Sequence, residues 1–171
     1  MPSADRLAEA LEGVDEIVVD ASLCVCRFLA LDHRKQEADF FLWYVVTHGI
    51  RMVAPVLFAW EVDSALLQGV CRGAITSSVA SGAFKALEEM PVNLIHDGAE
   101  LGAARNRARQ IATDLQQSAI YDSLYFAIAE QRGVQFWTAD ARFANSAAHP
   151  RRQSDGSLGP SLPGVRFLSD F

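Results

Sequence analysis

Short apolar runs and longer periodic stretches take turns along this chain. Five runs read as strands: Glu16–Asp20 (EIVVD) and Val134–Thr138 (VQFWT), both buried, and Met52–Ala54, Val92–Ile95 and Val165–Leu168. Between them lie helical patterns at Leu23–Leu31, Gln36–Thr47, Pro55–Arg72, Thr76–Met90, Ala99–Leu115, Ser118–Gly133 and Ala141–Ala148, and Met1–Glu12 reads as a short amphipathic helix. His33–Lys35 breaks Leu23–Leu31 and Gln36–Thr47 apart with polar residues. Strands alternating with helices predict a single-domain α/β/α sandwich with a mostly parallel central sheet. Its core spans about residues 16–148, and Val165–Leu168 adds the final strand. Arg151–Pro163, rich in Gly, Pro and Ser, is the one obvious flexible loop.

The stretch Ser118–Asp140 organises the rest. Ile120, Leu124 and Ile128 recur every four residues and so share one side of a helix. Ser118 suits the N-cap, and Gly133 suits the left-handed C-terminal position. Asp122 falls in the first turn of that helix, and Asp140 follows the next strand. Helix starts and strand ends share one edge of an α/β sheet, the edge where such folds place ligands. Asp20 also closes a strand; Ser22 is then read as the cap of a helix beginning near Leu23. Pro55 suits the first position of the helix that carries Glu61. Glu61 has the apolar or small neighbours Leu57, Phe58, Ala65 and Leu66, whereas Asp63 points roughly 200° away, to a wetter face.

Composition changes this picture little. Of 171 residues half are hydrophobic, and the net charge is -6 from 21 acidic and 15 basic side chains. An acidic average disfavours tight nucleic-acid binding unless basic residues are gathered locally. The densest such gathering is Arg105, Arg107 and Arg109. Cys24, Cys26 and Cys71 lack a second pair at zinc spacing and read as reduced core thiols. The N-terminal stretch does not read as a signal peptide, and the apolar runs are too short to span a bilayer, which predicts a cytoplasmic protein without membrane contact.

Taken singly, each acid has a local explanation: Asp and Glu favour first helical turns, and acids close strands in turns. Glu61 resists that account because its neighbours are apolar and a buried charge needs a partner. Asp20, Glu61, Asp122 and Asp140 converging on one rim would repel one another and raise each other's pKa. The only lysines, Lys35 and Lys85, follow no strand. A divalent cation, Mg²⁺ or Mn²⁺, resolves the repulsion, since both prefer hard oxygen ligands. Asp97 is a fifth strand-end candidate, and the adjacent His96 reads as a loop residue rather than a ligand. Ser22 and Thr138 bring hydroxyls to the same rim as secondary polar groups. No Ser/His/Asp or Cys/His arrangement competes for a catalytic role. A haloacid-dehalogenase-like phosphatase needs a second Asp where Ser22 stands, and a response-regulator receiver needs a strand-end Lys.

The ordered set VVDAS, an isolated Glu on the helix after Pro55, YDSLYFAIAEQRG, and a strand ending TAD resembles the PIN-domain family, most of all the VapC-type toxins of toxin–antitoxin pairs. The match runs from about Ile17 to Ala144, and the final strand fits as well. The resemblance implies that Asp20, Glu61, Asp122 and Asp140 bind Mg²⁺ or Mn²⁺ as the catalytic set of a ribonuclease, with Thr138 as the polar residue before the last acid. It further implies an RNA substrate, a small antitoxin partner and a homodimer. The aromatic helix bearing Phe40, Phe41, Trp43 and Tyr44 is the expected dimer surface. Arg105, Arg107, Arg109, Arg142, Arg151 and Arg152 are the candidates for RNA phosphate contact. Some members carry a further acid where Arg142 stands, which leaves one or two metals open. The competing reading is a catalytically silent PIN-like interaction domain, which loss of the acids would signal; here they are intact.

Overall fold

The computed structural model describes residues 4–29, 33–96, 98–149 and 161–171. In chain order the elements are α1 (Ala4–Ala10), β1 (Glu16–Val19), α2 (Ala21–Leu29), α3 (His33–Thr47), β2 (Arg51–Pro55), α4 (Leu57–Cys71) and α5 (Ser77–Glu88). After these come β3 (Val92–Ile95), α6 (Gly98–Asp114), α7 (Tyr121–Arg132), β4 (Gln135–Thr138), α8 (Ala141–Ala148) and β5 (Val165–Phe167), closed by a 3-10 turn at Leu168–Asp170. The strands form one sheet in the order β3-β2-β1-β4-β5. Every pairing in it is parallel, with Val18 opposite both Val53 and Phe136.

Because the strands are parallel, all their carboxyl ends lie on one rim. The chain steps from β1 outward to β3 and then returns to β4 on the other side of β1. That reversal is a topological switch point, where loops part and leave a crevice. The run IVV of β1 is buried on both faces, as a central parallel strand requires. β4 shows which helices cover which face. Phe136 packs on Tyr125 and Phe143 of α7 and α8, whereas the next residue, Trp137, packs on Phe41 of α3 and on Phe171. Successive strand side chains point to opposite faces, so α3 and α7 lie on opposite sides of the sheet.

Several local expectations are corrected. Pro55 is the last residue of β2, opposite Ile95, and α4 begins two residues later without a side-chain cap. Proline's fixed φ serves a strand end as well as a first helical turn. Ser118 is not the cap of α7, whose N-cap is Ile120; instead the Ser123 hydroxyl donates to Gln117 Oε1 and ties down the preceding loop. Gly133 does end α7 in the left-handed region, at φ 68°. His33–Lys35 opens α3 rather than breaking it, because Lys35 Nζ donates to the Arg27 carbonyl of α2 and reaches Asp39. Cys24 and Cys26 are buried free thiols as expected, but Cys71 is exposed. Burial raises the Cys24 thiol to about 12, which makes it inert. Of the four aromatic residues on α3, Phe41 is fully buried, Phe40 and Tyr44 pack on the core, and only Trp43 is exposed, at 57%.

α7 is more deeply embedded than its Ile120–Leu124–Ile128 stripe implies. Ser123, Tyr125, Phe126, Ala127, Ile128 and Ala129 are all buried. One side lies over β1, β2 and β4, and another lies along α6, which offers Ala104, Ala108, Ile111 and Ala112. Small residues let the two helix axes approach closely, so α7 has almost no wet face. At its far end Arg132 bridges Glu16 of β1 and Glu100 of α6, and Arg107 of α6 grips Glu130 through two bonds. These pairs lock the helix in register with its first turn at the carboxyl rim.

Candidate active site

Asp20 leaves β1 at the switch point, 4% exposed. Its backbone N–H donates to the Trp137 carbonyl, continuing the β1–β4 ladder by one rung. α2 starts at the next residue, so Ser22 is not a cap one step ahead of its helix; its hydroxyl donates to Asp20 Oδ2 at 2.5 Å. Thr138 Oγ1 donates to the same oxygen at 2.6 Å. Each hydroxyl also accepts from the β4–α8 connection: Ser22 Oγ from the Ala139 N–H and Thr138 Oγ1 from the Asp140 N–H, both at 2.9 Å. With both protons already given to Asp20, the 3.2 Å approach of the two hydroxyl oxygens is a contact and not a third hydrogen bond. The loop carrying Asp140 is thereby sewn to the carboxylate of Asp20.

Asp140 is the N-cap of α8 and accepts from the Arg142 and Phe143 N–H groups, so the local role foreseen for it is filled. Asp122 stands in the first turn of α7, in a cleft of about 280 Å³ that it shares with Asp140 and Arg142. Gln116, held at φ 54°, lines the same cleft. Glu61 approaches the rim from α4, on the other side. Its Oε2 accepts from Tyr125 Oη at 2.5 Å, a bond that bridges α4 and α7. Tyr125 escaped the sequence reading. Its signal was the three-residue step from Asp122, which sets both on one side of α7.

Electrostatics tie the acids together. Burial raises the Asp20 carboxyl above its ordinary value against the pull of its hydrogen bonds, and the Asp140 charge adds to the rise. Asp122 is pushed to about 6, first by burial and then by Asp20 and Asp140, while Arg142 pulls it back. Burial lifts Glu61 to about 7, with Asp20 and Asp122 adding to it and the Tyr125 hydroxyl opposing. Tyr125 itself is pushed far up by burial and by the same acids. Asp20, Glu61, Asp122 and Asp140 thus lie close enough for their charges to act on one another.

Among the described residues no three His, Cys, Asp or Glu side chains already stand together as a ready metal shell. The donor chemistry nevertheless fits a hard divalent ion. The groups are carboxylates, and burial first, then mutual repulsion, favours the protonated form of Asp20, Glu61 and Asp122, which a cation would offset. Tyr125→Phe, which removes the donor on Glu61, is expected to destabilise the protein by about 1–2 kcal/mol. Thermal melting should show a fall of roughly 2–8 °C.

The basic candidates separate. Arg142 is exposed beside Asp122 and Asp140. Arg105 and Arg109 are exposed on α6, the latter within reach of Asn106. Arg107 is held by Glu130, about 12 Å along α7 from Asp122 at 1.5 Å per residue. Asp97, Arg151 and Arg152, with most of the Arg151–Pro163 loop, lie outside the described residues. His96 is exposed at the end of β3, the outer strand of the sheet. A larger cleft of about 520 Å³, between Phe58, Phe84 and Leu94, contains none of the four acids.

No family model matches the chain, and no curated protein matches it by sequence. Solved structures do. PAE2754 from Pyrobaculum aerophilum superposes with a TM-score of 0.59 at 17% identity, over 91% of this chain and 90% of its own. Mycobacterium tuberculosis VapC20, described as a Sarcin-Ricin loop cleaving toxin, superposes with a TM-score of 0.53 at 18% identity, over 76% of this chain and 94% of its own. The chain thus has the PIN-like, VapC-type fold that its ordered acids resemble.

Proposed function

We propose that this protein is a metal-dependent ribonuclease, a single PIN-like domain that hydrolyses RNA phosphodiester bonds as the toxin of a type II toxin–antitoxin pair. What supports this reading is that Asp20, Glu61 and Asp122 lie near one another by the switch point of a parallel sheet with raised carboxyl pKa values, and that Asp140 adds its charge to Asp20 and Asp122. Buried, mutually coupled titratable groups in a cleft mark functional sites. The fold shared with an RNA-cleaving toxin supports the same reading.

In this mechanism Asp20, Glu61, Asp122 and Asp140 would hold Mg²⁺ or Mn²⁺. Such an ion, when bound, lowers the pKa of water and neutralises charge on the phosphoryl oxygens. Ser22 and Thr138 fix the Asp20 carboxylate in one rotamer. The Tyr125 hydroxyl orients the Glu61 carboxyl, which would complete the set from the α4 side. Arg142 meets a substrate phosphate at the cleft mouth, and Arg105 and Arg109 extend the basic track. Arg107 serves the α6–α7 junction instead. A small antitoxin, a homodimer through the α3 side and a cytoplasmic location complete the proposal. Among the described residues no helix is long and apolar enough to cross a membrane.

Purified protein is expected to cut single-stranded RNA with Mn²⁺ or Mg²⁺ and to stop on chelation. Cutting that persists in excess chelator would overturn the metal-dependent reading.

A further inference from the structure

A second cleft, of about 430 Å³, opens on the α4 side of the acid rim. Leu57, Trp60, Glu61, Ser64 and Gln68 line it from α4, spaced so that they form one stripe of that helix. Tyr121, the first residue of α7, faces them. Trp60 is 71% exposed and Tyr121 52% exposed, so two large rings stand in water beside the acids. Neither is needed by the core, which is filled at this level by Phe58, Val62 and Leu66 on α4 and by Tyr125 on α7. Both are chained to the acid rim: Trp60 precedes Glu61 and Tyr121 precedes Asp122.

We propose that Trp60 and Tyr121 form a stacking platform for an unpaired nucleobase of the RNA strand, next to the phosphate that Arg142 meets. This deepens the ribonuclease reading and rests on it. The chemistry of the cleft selects this occupant. Its two rings offer π-faces, Ser64 and Gln68 offer hydrogen-bonding groups, and Glu61 is common to the cleft and the acid set. A protein with net charge -6 gains little from phosphate contacts far from Arg142, so stacking supplies affinity that charge does not. A duplex keeps its bases stacked on one another and cannot use the platform. The platform therefore makes the substrate a single-stranded segment or loop, with adenine preferred over uracil because a purine covers more ring surface.

The chain has three tryptophans, and Trp137 is fully buried, so in a Trp43→Phe background Trp60 is the accessible emitter. Oligoadenylate, oligouridylate and a duplex of matched length are titrated into this protein carrying Asp20→Asn as well, to keep the RNA intact. Oligoadenylate should quench the emission and bind more tightly than the other two. Trp60→Ala and Tyr121→Ala should each weaken oligoadenylate binding by about tenfold to a hundredfold, the worth of one stacked base, and level the single-strand preference. Trp60→Phe should keep the affinity and lose the quenching. Emission unmoved at saturating RNA, absence of RNA binding, or alanine variants that bind as tightly as their parent would overturn the platform. Emission that shifts with protein concentration alone would do so too, since it assigns the rings to a contact between copies. The ribonuclease reading is tested separately, by Mn²⁺-dependent cleavage with Asp20 intact. Binding through Trp60 without cleavage drops that reading and keeps the platform, and cleavage with Trp60 unmoved does the reverse.

Discussion

Asp20→Asn is expected to abolish metal-dependent RNA cleavage while leaving the fold intact. The carboxylate is buried and takes two hydroxyl donors on one oxygen. An Asn side chain of the same shape can turn its carbonyl oxygen to those hydroxyls, so the β1–β4 junction survives. What it cannot supply is the negative charge that draws a divalent ion to the bottom of the crevice. Several kcal/mol of transition-state stabilisation go with that charge, a loss on the order of a thousandfold or more in kcat/KM. Arg142→Ala, which touches the rim at its exposed edge, should weaken RNA binding and its salt dependence instead. Equal cleavage by wild type and Asp20→Asn, assayed on protein from the same purification, would point to a contaminating nuclease and remove the assignment.

What the sequence made legible follows the range of the forces involved. Asp20 and Asp140 could be placed at the rim because an apolar run ending in an acid is a local pattern, and parallel strands carry all such ends to one edge. Asp122 followed from the helix start next to Gly133's helix end, again within one element. Tyr125 was hidden because its partner Glu61 lies 64 positions away, and Ser22 was misread as a cap because the Ala139 N–H that it accepts lies 117 positions away. Neither bond leaves a trace in spacing. Pro55 illustrates a different limit: strand end and first helical turn demand the same φ, and only the opposing Ile95 decides between them. The alanines of α6 and α7 show a third. A periodic Ile–Leu–Ile stripe reports one buried face, whereas the second face is buried by residues too small to register as a hydrophobic signal. Arg107 looked like part of a basic patch until Glu130 was found beside it.

Stability without activity separates a metal site from acids that merely share a rim, and Asp122→Asn is the informative variant. In the metal-free protein Asp122 is raised from 3.8 to about 6 and Glu61 from 4.5 to about 7. A carboxyl with a raised folded pKa holds its proton in the native state after the unfolded chain has released its own. Native stability is therefore greatest below about pH 4 as far as these groups are concerned, and it is lost as pH rises through 6 and 7. With chelator present, wild type should melt lower at pH 8 than at pH 5. Asp122→Asn should flatten that slope and melt at or above wild type at pH 8, because one repelling charge is gone. An ordinary first-turn Asp would behave oppositely, since losing its charge gives up about 0.3–1 kcal/mol of helix-dipole stabilisation. Mn²⁺ at a hundredfold excess over its dissociation constant should then stabilise wild type by about 2.7 kcal/mol, a rise of roughly 5–10 °C for a chain of this size. The gain should grow between pH 5 and 8 as the ligands lose their protons, and Asp122→Asn should lose most of it. Melting curves of both proteins, with chelator and with Mn²⁺ at each pH, decide the matter. If wild type shows no metal-dependent rise and the Asn variant melts lower in chelator, the carboxylates form no site, and the ribonuclease reading falls with them.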